Sequence, residues 1–278
     1  LNLTYWGTGN PFPAVDGAAR AGDNLYSNSV VALDADTGRL KWHYQFTPHD
    51  EMDWDSAQTP ALVDLDWRGR RRKVMLWANR NGLMYVLDRS TGEFLLGKPF
   101  VTVNWTTGFD AKGRPQLSTA PRGEKHVILP GISPTNWCPP SYSPVTGLFY
   151  IPSWERGASS GAIPVRGSAY GAMRAFDPKS GERKWEFKVN DGVFLGGALT
   201  TASNLLFTGV WGDFYSEPAA SRLVDGYFYA LDARTGQQLW KTSLAGSVQG
   251  PAITYSTGGR QFVVVGGGNT LFAFALRR

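Results

Sequence analysis

One cysteine, Cys138, stands in 278 residues, so no internal disulfide can form and cysteine usage does not fix the redox compartment. No run of 18 apolar residues occurs, and no leader-like segment opens the chain, so neither a spanning helix nor a signal peptide is expected within it. Charge is sparse as well: 18% of the residues are charged against 42% hydrophobic, a globular balance that argues against disorder. The excess of positive charge, +5 in all, gathers in Arg68, Arg70, Arg71, Arg72 and Lys73 between two apolar stretches. That placement predicts a solvated hairpin tip and no nucleic-acid partner. The first residues, LNLTYWGTGN, read as a strand running into a turn with no methionine ahead of them, so the chain is expected to begin inside a fold.

Turn formers and aromatics are plentiful, with 33 glycines, 17 prolines, 11 Trp, 11 Tyr and 15 Phe. Many tight turns with stacked rings between them are an all-β signature. Four segments share one register: ALDADTGRLKW (32–42), VLDRSTGEFLL (86–96), AFDPKSGERKW (175–185) and ALDARTGQQLW (230–240). In each, an aspartate (Asp34, Asp88, Asp177, Asp232) precedes Thr-Gly or Ser-Gly, and Trp42, Leu96, Trp185 or Trp240 follows. The carboxylate can accept turn amides and the glycine tolerates positive φ, so each segment predicts a hairpin.

The aspartates lie 54, 89 and 55 residues apart, the spacing of four-stranded β-propeller blades with a long insertion in the middle interval. The tryptophans would wedge between neighbouring blades, and KVMLWAN (73–79), GLFYIPS (147–153), NLLFTGV (204–210) and QFVVVGG (261–267) would supply inner strands. Residues 1–278 would then form one partial propeller of about four to five blades at roughly 50 residues each, with further blades upstream. The repeat aspartates are structural in this reading.

HDEMDWD (49–55) crowds His49, Asp50, Glu51, Asp53 and Asp55 around Trp54. It reads either as a solvated acidic turn or as carboxylates gathered on a cation. The ordered series WGTGNP (6–11), RAGDN (20–24), TPHDEMDWD (47–55), NRNG (79–82) and NWCPPSYSP (136–144) resembles the quinoprotein alcohol dehydrogenases of the methanol and ethanol dehydrogenase type. Those are eight-bladed all-β propellers that hold pyrroloquinoline quinone (PQQ) and a metal ion on the axis. The chain looks like the C-terminal half of one.

The resemblance implies a site residue by residue. Asn10 would ligate the metal through its side-chain carbonyl, a hard donor suited to calcium or a lanthanide, the alternative being an ordinary turn asparagine. Asp53 would be both metal ligand and the base that takes the alcohol proton as hydride passes to the quinone C5. His49, Asp50 and Glu51 are left to loop structure, and Trp54 to packing. Asp55 stands where lanthanide-using members carry an aspartate, which favours a trivalent ion over calcium; otherwise it caps the loop or pairs with an arginine of a neighbouring blade. Arg80 would contact the quinone's ortho-carbonyl oxygens and stabilise the charge that develops on reduction, unless it forms only an inter-blade or surface salt bridge.

Asn136 would hydrogen-bond the cofactor. Leu195 and Gly196 begin an LGG segment where methanol-type members have Trp-Gly-Gly near the cofactor edge, and the smaller side chain suits an alcohol bulkier than methanol. The stretch WGDFYSEPAASRL (211–223) reads as a loop insertion able to act as a lid or docking surface. A metal-binding glutamate, the tryptophan under the quinone ring and a vicinal disulfide of the family would lie upstream.

The implied protein is a periplasmic enzyme that oxidises an alcohol to an aldehyde or ketone and passes electrons to a cytochrome c-type acceptor. The resemblance allows a homodimer and requires no membrane span. A rival reading, a non-catalytic propeller scaffold of the outer-membrane assembly lipoprotein type, shares the hairpins and lacks a reason to carry Asn10, Asp53, Arg80 and Asn136 in that order.

Overall fold

Short β-branched and aromatic runs between turn residues fold into antiparallel strands throughout the computed structural model, which describes residues 1–118, 134–155, 170–190, 192–212 and 226–276. The first sheet is β1 (Leu3–Gly7), β2 (Ser29–Asp34) and β3 (Leu40–Gln45), in that order. The second is the four-stranded meander β4 (Ala61–Trp67), β5 (Arg70–Ala78), β6 (Leu83–Asp88) and β7 (Phe94–Pro99). A separate hairpin, β8 (Thr106–Phe109) with β9 (Pro115–Leu117), follows.

The third sheet repeats the meander as β10 (Ser141–Ser143), β11 (Leu148–Glu155), β12 (Tyr170–Phe176) and β13 (Arg183–Val189). The fourth has β14 (Gly192–Val193) and β15 (Leu199–Thr200) beside β16 (Leu205–Gly212), then β17 (Gly226–Asp232) and β18 (Gln238–Leu244). The fifth is β19 (Ile253–Thr257), β20 (Arg260–Gly267) and β21 (Thr270–Phe274). Four-stranded antiparallel meanders repeated in this way are the blades of a β-propeller, an all-β fold.

The chain divides into two compact units. One is Leu1–Trp137 with Ser160–Ala162 and Pro178–Gly181; the other is Cys138–Ser159, Ile163–Asp177 and Glu182–Arg278. In the first, Phe46 packs against Trp77 and Tyr85 with ring centroids 4.9 and 4.8 Å apart. In the second, Tyr150, Trp185, Leu206, Tyr229 and Leu231 share one buried cluster.

The repeated turns form as their chemistry dictates. Asp34 Oδ1 accepts the amide of Thr37 at 3.0 Å and its hydroxyl at 2.9 Å, and Asp232 Oδ1 accepts the amides of Arg234 and Thr235 at 2.8 and 3.0 Å. After each turn the bulky residue is the third of its strand, and a β-bulge sets its partner: Trp42 opposes Ala32, Leu96 opposes Val86, Trp185 opposes Ala175 and Trp240 opposes Ala230. Trp42 then lies on the turn glycine of the next repeat, Gly92, and Trp185 on Gly236. The ring needs the space: a Cβ on Gly92 would come within 2.7 Å of Trp42.

The segments at 73–79, 147–153, 204–210 and 261–267 lie in β5, β11, β16 and β20, each hydrogen-bonded to strands on both sides. The basic run is the tip of the β4–β5 hairpin, where Arg68 and Gly69 take φ of 51° and 77°. Its charges are partly paired, Arg72 with Glu93 at 2.6 Å and Lys73 with Asp64 at 3.6 Å. Most of the insertion at 211–223 lies outside the described residues, as does part of the middle interval.

Candidate active site

A close backbone approach at the end of β1 starts the site. Gly7 lies so near residue 56 that a Cβ on it would sit 1.9 Å from the Ser56 carbonyl oxygen, so only glycine fits. One residue on, the Thr8 carbonyl accepts the Ser56 amide at 2.9 Å. Asn10 follows, its amide donating to Asp55 Oδ1 at 2.9 Å and its side-chain Nδ2 to the Pro11 carbonyl at 3.0 Å. With Nδ2 committed to the main chain, the remaining donor atom of the Asn10 side chain is its carbonyl oxygen.

The acidic loop is organised by its first aspartate. Asp50 is 1% exposed, and its carboxylate accepts the Met52 and Trp54 amides at 2.9 Å each and the Asn28 side-chain amide at 3.0 Å. Burial pushes the Asp50 carboxyl up, opposed by these hydrogen bonds, while the neighbouring Asp53 charge adds to the rise. Between the two bonded amides Asp53 takes a left-handed φ of 60°, and its side chain is partly exposed. Trp54 points inward, 1% exposed and 5.1 Å from the Trp105 ring. His49 bonds the Gly22 carbonyl through Nδ1 at 2.7 Å, a structural contact.

Arg80 reaches the same place from the β5–β6 turn. Asn79, Asn81 and Gly82 close that turn: the Gly82 amide donates to the Asn79 carbonyl at 3.0 Å and the Leu83 amide to Asn81 Oδ1 at 3.1 Å. The guanidinium, 7% exposed, contacts the Asp55 carboxylate through Nη1 and lies 3.8 Å from Asp53 Oδ2 through Nη2. Asn10, Asp53, Asp55 and Arg80 therefore converge. The pairing of Asp55 with an arginine from the next sheet is the alternative named from the sequence, and it coexists with the convergence.

The available oxygens are two carboxylates and one amide carbonyl, a hard donor set that fits calcium or a lanthanide better than a softer metal. Among the described residues no three His, Cys, Asp or Glu side chains gather as a metal centre on their own.

The described contacts of the remaining predicted residues are local. Asn136 Oδ1 accepts the Trp137 amide at 3.0 Å. Leu195 and Gly196 belong to the second unit, where the Leu195 amide donates to the Val193 carbonyl and the Gly196 amide to the Gly209 carbonyl, both at 3.1 Å.

Sequence reasoning passed over the residues that hold the loops. Gln58 donates to the Asp55 carbonyl at 2.9 Å and accepts from Trp77 Nε1 at 3.1 Å; Asn79 donates to Ser56 Oγ at 2.8 Å. Arg20, within the RAGDN motif, donates to the Pro13, Ala14 and Asp50 carbonyls. Their signal was weak, since polar residues in turns are common and only burial distinguishes these.

The family model of the glucose/ethanol/alcohol dehydrogenase β-propeller domain, a PQQ domain, matches residues 1–107 and 192–263. The quinoprotein alcohol dehydrogenase PedH of Pseudomonas putida is 37% identical over 95% of this chain and 47% of its own length. The quinohemoprotein alcohol dehydrogenase of Comamonas testosteroni is 36% identical over 95% of this chain and 40% of its own. Its crystal structure superposes with a TM-score of 0.81 at 34% identity, covering 96% of this chain and 43% of that one. A europium-containing methanol dehydrogenase superposes with a TM-score of 0.78 at 31% identity, covering 95% of this chain and 48% of that one. The chain spans less than half the length of each of these relatives.

Proposed function

We propose, from the premise that this chain belongs to the PQQ-type glucose/ethanol/alcohol dehydrogenase β-propeller family, that it forms part of a quinoprotein dehydrogenase oxidising an alcohol to an aldehyde or ketone. The observation that carries the reading is the convergence of Asn10, Asp53, Asp55 and Arg80, four residues from three separate loops. A non-catalytic scaffold has no need to bring two partly exposed carboxylates onto a buried arginine.

Asn10, Asp53 and Asp55 would hold the metal ion, and Arg80 and Asn136 the cofactor. When bound, PQQ supplies the hydride acceptor and the metal ion a Lewis acid that polarises its carbonyl. Asp53 takes the proton of the substrate hydroxyl at its carboxylate oxygen, and the side chain is exposed enough to offer it. Arg80, fixed beside Asp53 and Asp55, sets a positive charge where negative charge develops. Leu195 in place of the methanol-type tryptophan supports a bulkier alcohol than methanol.

A trivalent lanthanide is the favoured ion and calcium the alternative; Asp55 supports the first, as does the europium-containing relative. The quinohemoprotein relative supports a haem acceptor of the cytochrome c type, and a periplasmic setting rests on the family resemblance alone. No helix among the described residues is long and apolar enough to cross a membrane.

The test is reconstitution of the full-length protein with PQQ and metal, followed by dye-linked alcohol oxidation. Asp53→Asn should retain metal and quinone binding while turnover falls about a hundredfold or more. Wild-type protein that oxidises no alcohol and gives no absorbance change with quinone would favour the scaffold.

A further inference from the structure

Asn28 has no part in the chemistry above, yet it touches two of the three loops that contribute to it, the one carrying Asn10 and the one carrying Asp53 and Asp55. It is wholly buried, at 0% exposure. Its amide donates to the Gly9 carbonyl at 2.9 Å, immediately before Asn10. Its own carbonyl accepts the Phe46 amide at 2.8 Å, where the chain leaves β3 for the acidic loop. The side-chain Nδ2 then forks, one hydrogen going to Asp50 Oδ2 at 3.0 Å and the other to the Trp54 carbonyl at 2.8 Å. Among the described residues nothing donates a hydrogen bond to Asn28 Oδ1, although it is buried. An unpartnered buried carbonyl costs free energy, so packing of a polar side chain for its own sake does not account for this asparagine. What its position uses is the two-hydrogen fork, on a backbone at a left-handed φ of 50° that asparagine also adopts more readily than alanine or serine.

We infer that Asn28 is a positioning residue that locks the loop carrying Asp53 to the strand end carrying Asn10. The geometry supports this on both sides of Asp53. Asp50 grips the amides of residues 52 and 54, and the Asn28 fork ties the Asp50 carboxylate to the carbonyl of residue 54. Asp53 is thus held at both peptide neighbours in a left-handed conformation, one that aspartate reaches more readily than most residues but still at some cost. Asn10 and Asp55 meet across the same junction. Only a primary amide supplies both hydrogens; serine supplies one and aspartate none while adding a charge against Asp50.

The inference rests on the proposed role of Asp53, and its test separates the two. Asn28→Ala, Asn28→Ser and Asp53→Asn are made in the full-length protein, with thermal melts to establish that each folds. Terbium affinity is read from tryptophan-sensitised emission, and kcat and KM from dye-linked alcohol oxidation of the reconstituted enzyme. Asn28→Ala should weaken terbium binding and lower kcat by about ten- to a hundredfold each, with KM for the alcohol little changed, and Asn28→Ser should fall between it and wild type. A lower melting temperature with wild-type terbium affinity and kcat would make Asn28 a core residue only and overturn the inference, as would failure of both variants to fold. Should Asp53→Asn turn over normally, the base assignment fails and the positioning role with it. If Asp53→Asn is inactive while Asn28→Ala is normal in both readouts, the positioning role alone fails.

Discussion

Asp55 shows how one side chain can serve two masters. Its Oδ1 accepts the Asn10 amide at 2.9 Å and its Oδ2 meets the Arg80 guanidinium, so the carboxylate is both a strut and a source of negative charge. With Asp53 and the metal-binding glutamate that the resemblance implies upstream, it would bring three carboxylates to a cation held by Asn10, the charge that balances a trivalent ion. Around a divalent ion the extra carboxylate is left partly uncompensated in a half-buried site, which costs free energy. Asp55→Ala in the reconstituted full-length protein should therefore shift activation from lanthanum or cerium toward calcium, or abolish it. Metal titrations of activity measure this, and an equal response of the wild type to calcium and lanthanum would leave Asp55 as the arginine's partner only.

At the scale of the element, the turn glycines look identical and are not. Gly38 and Gly92 have φ of 68° and 79°, but a Cβ on Gly38 meets nothing within 4 Å, whereas one on Gly92 collides with Trp42. Gly38→Ala should cost only the left-handed strain, about 1–2 kcal/mol. Gly92→Ala adds overpacking of about 1–3 kcal/mol, because the ring is held between strands and cannot withdraw. Denaturant unfolding of both variants decides it, and equal losses would show that the tryptophan is free to move. The wedge depends on the bulge as much as on the glycine, since the bulge is what sets each tryptophan opposite the residue two before the turn aspartate.

For the whole molecule, the carboxylates set an acid limit. Thr37 and Lys41 lower Asp34 to about 2 from 3.8, and Arg114 lowers Asp23. Asp64 and Glu186 are lowered by Arg89 and Arg174 against the upward push of burial. A carboxyl lowered by folding stabilises the protein above its unfolded pKa, and that contribution disappears as pH falls through the folded value. Asp50 acts in the opposite sense: its raised carboxyl favours the folded state when protonated, and that contribution is lost as pH rises through its folded value. Four groups outweigh one, so stability should fall steadily below about pH 4. Asp34→Asn should flatten the part of that decline lying between 3.8 and about 2. Melting temperatures measured from pH 7 to 2 test it, and an unchanged acid limb in the variant would show that Asp34 gains nothing from its partners in the fold.

The sequence by itself determined whatever depends on neighbours in the chain. The Asp-x-x-Thr-Gly turns close because a carboxylate reaches amides two and three residues on. Trp54 packs inward as expected, though not by strand alternation: no strand forms there, and the Asp50 carboxylate holds its amide. The basic run had to be a hairpin tip, flanked as it is by two apolar strands. Motif order also marked Asn10, Asp53, Asp55 and Arg80, but not how they meet. Tertiary structure alone decided that Arg80 stands between Asp53 and Asp55, that Asp50 is buried while its neighbours stay partly exposed, and that Asn28 ties the two loops together. Those outcomes rest on contacts between residues 22 to 45 positions apart. At such separations a side chain's role is set by which backbone groups remain unpaired after the sheets have formed, and no local pattern in the sequence records that.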